Sequence, residues 1–279
     1  MLDKNINVTR KLGIALDVRG TLVHCKNDLP TTGKIASLIL KALKFGCYIS
    51  ILSAGSIQTI KRLVLNKLIV FNKKSASMFL CRNLVVYSDS ATKGWRINED
   101  NKIVPLTDYQ AISFDRDELE KIIEIIESAK IKFKIKKPRL KLKAGQINFY
   151  MARDFNERIE IADYLNKKLA NGCFREVRAF VPSSKETIDI ALCGKIRGIK
   201  DFAGRFRLKK LQISIISDSL QDNGAEQLLK RFTNNSLSFQ VGVHHASNVI
   251  NYPNKIDLEG TTRALERLVT RVHNNFSNK

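Results

Sequence analysis

Apolar residues gather in short, nearly unbroken runs at 12–16, 48–52, 84–87, 211–216 and 239–243. Runs of that length without alternation predict strands buried on both faces, as in a parallel sheet covered by helices. Helical spacing falls between them. Residues 34–45 carry Ile35, Leu38, Ile39, Ala42 and Leu43 on one face, with Gly46 where a helix-ending glycine belongs. Further helices are predicted from about Ile57, over 195–209, over 224–232 and, amphipathic, over 258–272. After the run at 84–87, Gly94 and the turn at 98–101 predict a small hairpin at the sheet edge.

The pattern changes at Asp115. Asp115 and Glu118 have capping-box spacing, and Leu119, Ile122, Ile123 and Ile126 make one helical face. Residues 131–143 then alternate: Lys132, Lys134 and Lys136 against Ile131, Phe133 and Ile135, and, past Pro138, Arg139, Lys141 and Lys143 against Leu140 and Leu142. Period two predicts strands with one apolar and one cationic face. A second helix bears Phe155, Ile159, Ala162 and Leu169, and strands are predicted over 174–181 and 186–192. Helix, strands, helix, strands reads as an α+β layer whose sheet buries one side. The expected organisation is an α/β Rossmann-like core, residues 1–105 and 186–279, with an α+β cap inserted at 106–185.

A chain of 279 residues, 44% of them hydrophobic, is long enough for two such cores. It has no apolar run of the roughly 18 residues that span a bilayer, and its first residues lack a signal-peptide core, so a cytoplasmic protein without membrane contact is expected. Five cysteines with no CxxC pair argue against a disulfide framework or zinc site. His244 and His245 are adjacent and cannot both face one metal from a strand, so they receive no catalytic part. The net charge of +21 creates a field that attracts phosphates, nucleic acid or anionic surfaces.

Candidate chemistry lies where the buried runs stop. The first ends in Asp17 and turns through Val18, Arg19, Gly20 and Thr21; the second ends at Ser53 in LSAGS; the fourth ends in Ser217 and Asp218, with Asp222 close behind. Open α/β sheets bind their ligands at the carboxyl ends of strands. Asp17 and Asp218 would make a hard, oxygen-only site of the kind Mg²⁺ takes. Ser53 just before a helix is a phosphate-binding arrangement.

These residues resemble the motifs of the haloacid dehalogenase superfamily. Its DxDGT motif appears as Asp17-Val18-Arg19-Gly20-Thr21, its second-motif hydroxyl as Ser53, and its GDSxND motif as Ser217 to Asp222. Lys195 matches the third-motif lysine, with Lys200 as the other candidate. The inserted layer is similar in style to the larger caps of the phosphomannomutase, trehalose-phosphate and sucrose-phosphate phosphatase branch. The resemblance implies Asp17 as nucleophile; Mg²⁺ held by Asp17, the Arg19 carbonyl and Asp218, with Asp222 in support; and Ser53, Lys195, Gly20, Thr21 and Arg19 around the phosphate. It implies phosphoryl transfer from a small phosphorylated metabolite such as a sugar phosphate. One departure matters. Arg19 stands at the family's second Asp, its general acid and base, and a guanidinium can serve as neither. Turnover could therefore be slow, another group could act, or the chain could be a degenerate relative whose basic surface binds nucleic acid or an acidic partner.

Overall fold

Strand β1 (Gly13–Asp17) is buried along its whole length. In the computed structural model Ile14 and Leu16 pack into one apolar cluster, and Ala15 packs into another on the opposite face of the sheet. A strand with helices on both sides has no solvent face, and this is why its sequence does not alternate. The structure describes residues 11–24, 29–75, 79–172, 174, 176–182, 186–192, 194–209, 212–218, 238–241, 250–252, 254 and 258–277.

Around β1 lies an eight-stranded sheet. Its remaining strands are β2 (Tyr48–Leu52), β3 (Leu84–Ser88), β4 (Lys93–Ile97), β5 (Ile103–Pro105), β10 (Ile213–Ser217), β11 (Phe239–Gln240) and β12 (Ile250–Asn251). The order is β12-β11-β10-β1-β2-β3-β4-β5. From β12 to β3 all pairs are parallel, and the edge hairpin β3-β4-β5 is antiparallel. The element β12 was not foreseen, because two residues give no period to read.

Helix α1 (Gly33–Lys44) is capped by the Thr32 hydroxyl, which accepts from the Ile35 amide at 3.2 Å. It buries Ile35, Ile39, Ala42 and Leu43 on the first face of the sheet, beside α8 (Glu259–Ser277), which contributes Leu265, Leu268 and Val269. The other face carries α7 (Gly194–Arg205), with Ile199 and Phe202 in the second cluster. After β2, helix α2 (Ile57–Ile60) runs through a π-helical stretch (Lys61–Leu65) into α3 (Asn66–Ser75), and α4 (Phe79–Asn83) precedes β3.

Between β5 and α7 lies a separate four-stranded antiparallel sheet, order β6-β7-β9-β8: β6 (Arg139–Lys143), β7 (Gln146–Tyr150), β8 (Val177–Phe180) and β9 (Thr187–Leu192). Helices α5 (Arg116–Lys132) and α6 (Phe155–Asn171) pack on one face through Ile122, Ile126, Ile161 and Leu165 against Ile147, Phe149, Ile188 and Ile190. Both helices open with complete capping boxes, Asp115 with Glu118 and Asp154 with Glu157.

Two expectations fail here. The alternating run at 131–135 is not a strand: α5 continues to Lys132, and the chain then turns through Lys134 at a φ of +47°. Bonds from the Lys134 and Ile135 amides to the Ile131 and Lys130 carbonyls close the helix, and Ile131 is left exposed. Lysine every second residue mimics a strand wherever a solvated helix end meets its turn. Nor does the second sheet bury only one side. Gln146, Asn148 and Asp189 point away from its apolar face and are nevertheless buried. Its Ala144-Gly145 turn packs so tightly on the turn between β3 and β4 that an ideal Cβ on Gly145 would lie 2.5 Å from Thr92 Cγ2.

Candidate active site

The parallel register fixes which residues share the rim. Asp17 pairs with Leu52 and Leu16 with Ile216, so Ser53 and Asp218 emerge on the two strands flanking β1. Neighbouring strands lie about 4.8 Å apart, so three positions far apart in sequence meet at one edge. All three side chains are buried.

Asp17 Oδ1 accepts from the Val18 amide at 2.7 Å and lies 2.9 Å from the Lys195 Nζ. Lys195 is the second residue of α7 and buried; Lys200, the other candidate, is on the exposed side of the same helix. Burying an ion pair is costly unless its geometry is good, and a lysine beside a carboxylate in this position can also serve a ligand phosphate.

The turn after Asp17 is built by its backbone. The Leu22 and Val23 amides donate to the Val18 carbonyl, and the Gly20 amide donates to the Val23 carbonyl at 2.8 Å. Gly20 has a φ of +76°, and a Cβ there would fall 2.2 Å from Asp218 Oδ2. The Asp218 carboxylate thus packs against the backbone of the Asp17 turn. Arg19 is half-buried in that turn, and its backbone bridges to Val23. Thr21 Oγ1 is buried with no hydrogen-bond partner among the described residues. Asn254 and Thr261 anchor the turn from behind: Asn254 Nδ2 donates to the Gly20 carbonyl at 2.7 Å, and the Thr261 hydroxyl donates to the Thr21 carbonyl at 2.7 Å. Neither was legible in the sequence: Asn254 stands outside any periodic stretch, and Thr261 is a polar position in the first turn of α8.

Ser53 Oγ accepts from the Gly55 amide at 3.0 Å, so its own proton points elsewhere and can be donated. The Ser56 hydroxyl caps α2. A loop unremarked in the sequence braces this turn: the Asp89 and Ser90 amides donate to the Gly55 and Ser53 carbonyls. Asp89, Ser90 and Ala91 all take left-handed conformations, with φ of 51°, 58° and 64°. Three consecutive non-glycine residues there are costly and persist only where the surroundings over-determine them. Those surroundings are Tyr109 Oη and Arg197 Nη1, donating to the Ala91 carbonyl at 2.5 and 3.2 Å, and the second sheet above. From β6, Lys143 Nζ donates to the Ala54 carbonyl at 2.9 Å and lies 3.8 Å from Asp89 Oδ1.

Two carboxylates and the backbone of one turn at the rim form an oxygen donor set that suits Mg²⁺, which keeps several waters and needs few protein ligands. Among the described residues no three His, Cys, Asp or Glu side chains gather around one point. Asp222, expected to support the metal, lies outside the described residues, as do His244 and His245.

The arrangement of elements matches solved phosphatases. IMP-bound, N-terminally truncated IMP-nucleotidase of Plasmodium falciparum superposes with a TM-score of 0.72 at 14% identity, over 95% of this chain and 70% of that one. Trehalose-6-phosphate phosphatase of Aspergillus fumigatus superposes with a TM-score of 0.59 at 11% identity, over 94% of this chain and 93% of that one. The chain thus shares their mixed α/β fold, a large, mainly parallel sheet with helices and a second α+β unit. At these identities the likeness is one of fold. No protein-family model and no curated protein matches the sequence. Among the described residues no helix is long and apolar enough to cross a membrane.

Proposed function

We propose that the protein is a Mg²⁺-dependent phosphohydrolase or phosphotransferase that acts on a small phosphorylated metabolite through Asp17. The observation that carries this reading is the buried Asp17–Lys195 pair, 2.9 Å apart, at the sheet rim where Asp218 and Ser53 also emerge. That an IMP-nucleotidase and a trehalose-6-phosphate phosphatase share this fold agrees with it.

Asp17 would attack phosphorus, forming an acyl phosphate as the ester P–O bond breaks, and water would then release inorganic phosphate and restore the carboxylate. Lys195 and the Ser53 hydroxyl would hold the transferring oxygens, with Gly20, Thr21 and Arg19 beside them. Asp17, Asp218 and the Arg19 carbonyl would hold the Mg²⁺, with Asp222 in support; the ion offsets the repulsion between carboxylate and phosphate. The departing oxygen needs a proton and the attacking water must lose one, and Arg19 can do neither. General acid-base help contributes about 10²–10⁴-fold, so turnover should be slow and the acyl phosphate long-lived. Phosphate release from a phosphomonoester panel, with Mg²⁺ present, tests this: wild type should exceed Asp17→Asn, and equal release would exclude hydrolysis.

A second reading draws on Arg139 and Lys141, exposed on the edge strand β6, and on the net charge of +21. In it the chain binds nucleic acid or an acidic partner without turnover. Such binding should weaken steeply as salt rises, and no binding to single-stranded or duplex nucleic acid at low salt would dismiss the nucleic-acid form of it.

A further inference from the structure

The turn between β6 and β7 reaches onto the rim. Lys143 and Gln146 are cross-strand partners and so share one face of the second sheet, the face away from its apolar cluster. Lys143 touches the Ser53 turn through the Ala54 carbonyl. Gln146 is wholly buried, and its carboxamide meets Ser90, whose hydroxyl lies 3.2 Å from Gln146 Oε1 and whose amide donates to the Ser53 carbonyl.

The far end of that carboxamide, Nε2, has no hydrogen-bond partner among the described residues. Turning the amide over does not help: Ser90 then pairs with the nitrogen, and the oxygen lacks a partner instead. A buried amide group without a partner is costly, and buried polar groups in native proteins are almost always satisfied. Next along the same face, Asn148 Nδ2 donates to Asp189 Oδ1 at 2.5 Å, both buried. This face therefore offers hydrogen bonds where an apolar ligand would be refused.

We propose that Gln146 is the residue by which the second sheet recognises the ester group of the substrate, and that this group carries hydroxyl or carbonyl oxygens close to its phosphate. The assignment rests on the phosphate site proposed above. Lys143 is a positioning residue that docks the turn so that the Gln146 amide overhangs the Ser53 loop. A phosphate ester held at Asp17 presents its organic part towards the second sheet, and an oxygen on that part completes the amide.

Calorimetry on Asp17→Asn protein with Mg²⁺ tests this without turnover, using inorganic phosphate, phenyl phosphate, ribose 5-phosphate and glucose 6-phosphate. At least one sugar ester should bind about tenfold more tightly than phenyl phosphate, as one well-made hydrogen bond in a buried site allows. Adding Gln146→Leu should erase that margin and leave the affinity for inorganic phosphate unchanged. Gln146→Asn, which draws the amide back by one methylene, should erase it too, so the test survives if the leucine variant fails to fold. No margin in the Asp17→Asn protein, or a margin kept in both double variants, overturns the assignment and spares the phosphate site. Failure of inorganic phosphate to bind the wild-type protein with Mg²⁺ overturns both.

Discussion

Lys195 Nζ and Asp17 Oδ1 lie 2.9 Å apart with both side chains buried, so each ion relies on the other in the ligand-free protein. Removing one partner of such a pair costs about 3–5 kcal/mol, because the other is left charged and dry. Lys195→Met should lose stability on that scale in urea unfolding. The double variant Asp17→Asn/Lys195→Met should recover most of it, and a double variant as unstable as the single would show that the loss is one of packing.

Gly20 is the position where the Asp17 turn and Asp218 compete for space. Gly20→Ala must strain a φ of +76° and drive a methyl into the Asp218 carboxylate. Wild type should melt at higher temperature with Mg²⁺ and inorganic phosphate than with EDTA, since a ligand that binds only the folded state stabilises it. In Gly20→Ala that difference should vanish, as read in thermal melts of both proteins.

Gly198 governs how closely α7 approaches the sheet. Helix propensity alone would make Gly198→Ala favourable by about 1 kcal/mol. Its Cβ, however, would lie 2.8 Å from Leu52 Cδ2 and 2.9 Å from Tyr87 Cγ, and a buried ring cannot swing aside. Overpacking of this kind costs about 1–3 kcal/mol, so the variant should be the less stable one. The same displacement carries Lys195 from Asp17, so phosphate affinity in calorimetry should fall alongside the urea midpoint.

Burial pushes the Cys47 thiol up to about 12 from an ordinary 9.0. The unfolded chain then releases this proton at lower pH than the folded one. The stability the group contributes is complete below pH 9 and declines as pH rises from 9 towards 12. Cys47 should stay unmodified by iodoacetamide at pH 8 until urea unfolds the chain, while the partly exposed Cys81 reacts in the folded protein. Peptide mapping by mass spectrometry separates the two, and early labelling of Cys47 would refute its protection.

The large sheet was legible because buried parallel strands write their position as apolar runs, and β2 spans the residues expected of it, 48–52. Asp17, Ser53 and Asp218 were legible because a polar residue ending such a run has few places to go, whereas Lys195 is reached only through the resemblance to a family motif, with Lys200 as the other candidate. The Asp89 loop was not: SDSA contains no glycine to advertise its left-handed backbone, and only contacts from Tyr109, Arg197 and Lys143 make it affordable. Lys143 reads as part of a cationic strand face, and Gln146 is hidden beside it. A lysine and an amide in an alternating strand look solvated, and only the docking of the turn shows that they are covered.

Gly13 of β1 is in register with Ile213 of β10, two hundred residues downstream. On a ribosome β1 must therefore wait, paired on one side only, until some two hundred further residues have emerged. A nascent chain holding everything up to β9 would own Asp17 and Ser53 but neither Lys195 nor the second carboxylate, so the proposed site could not assemble before β10 is made.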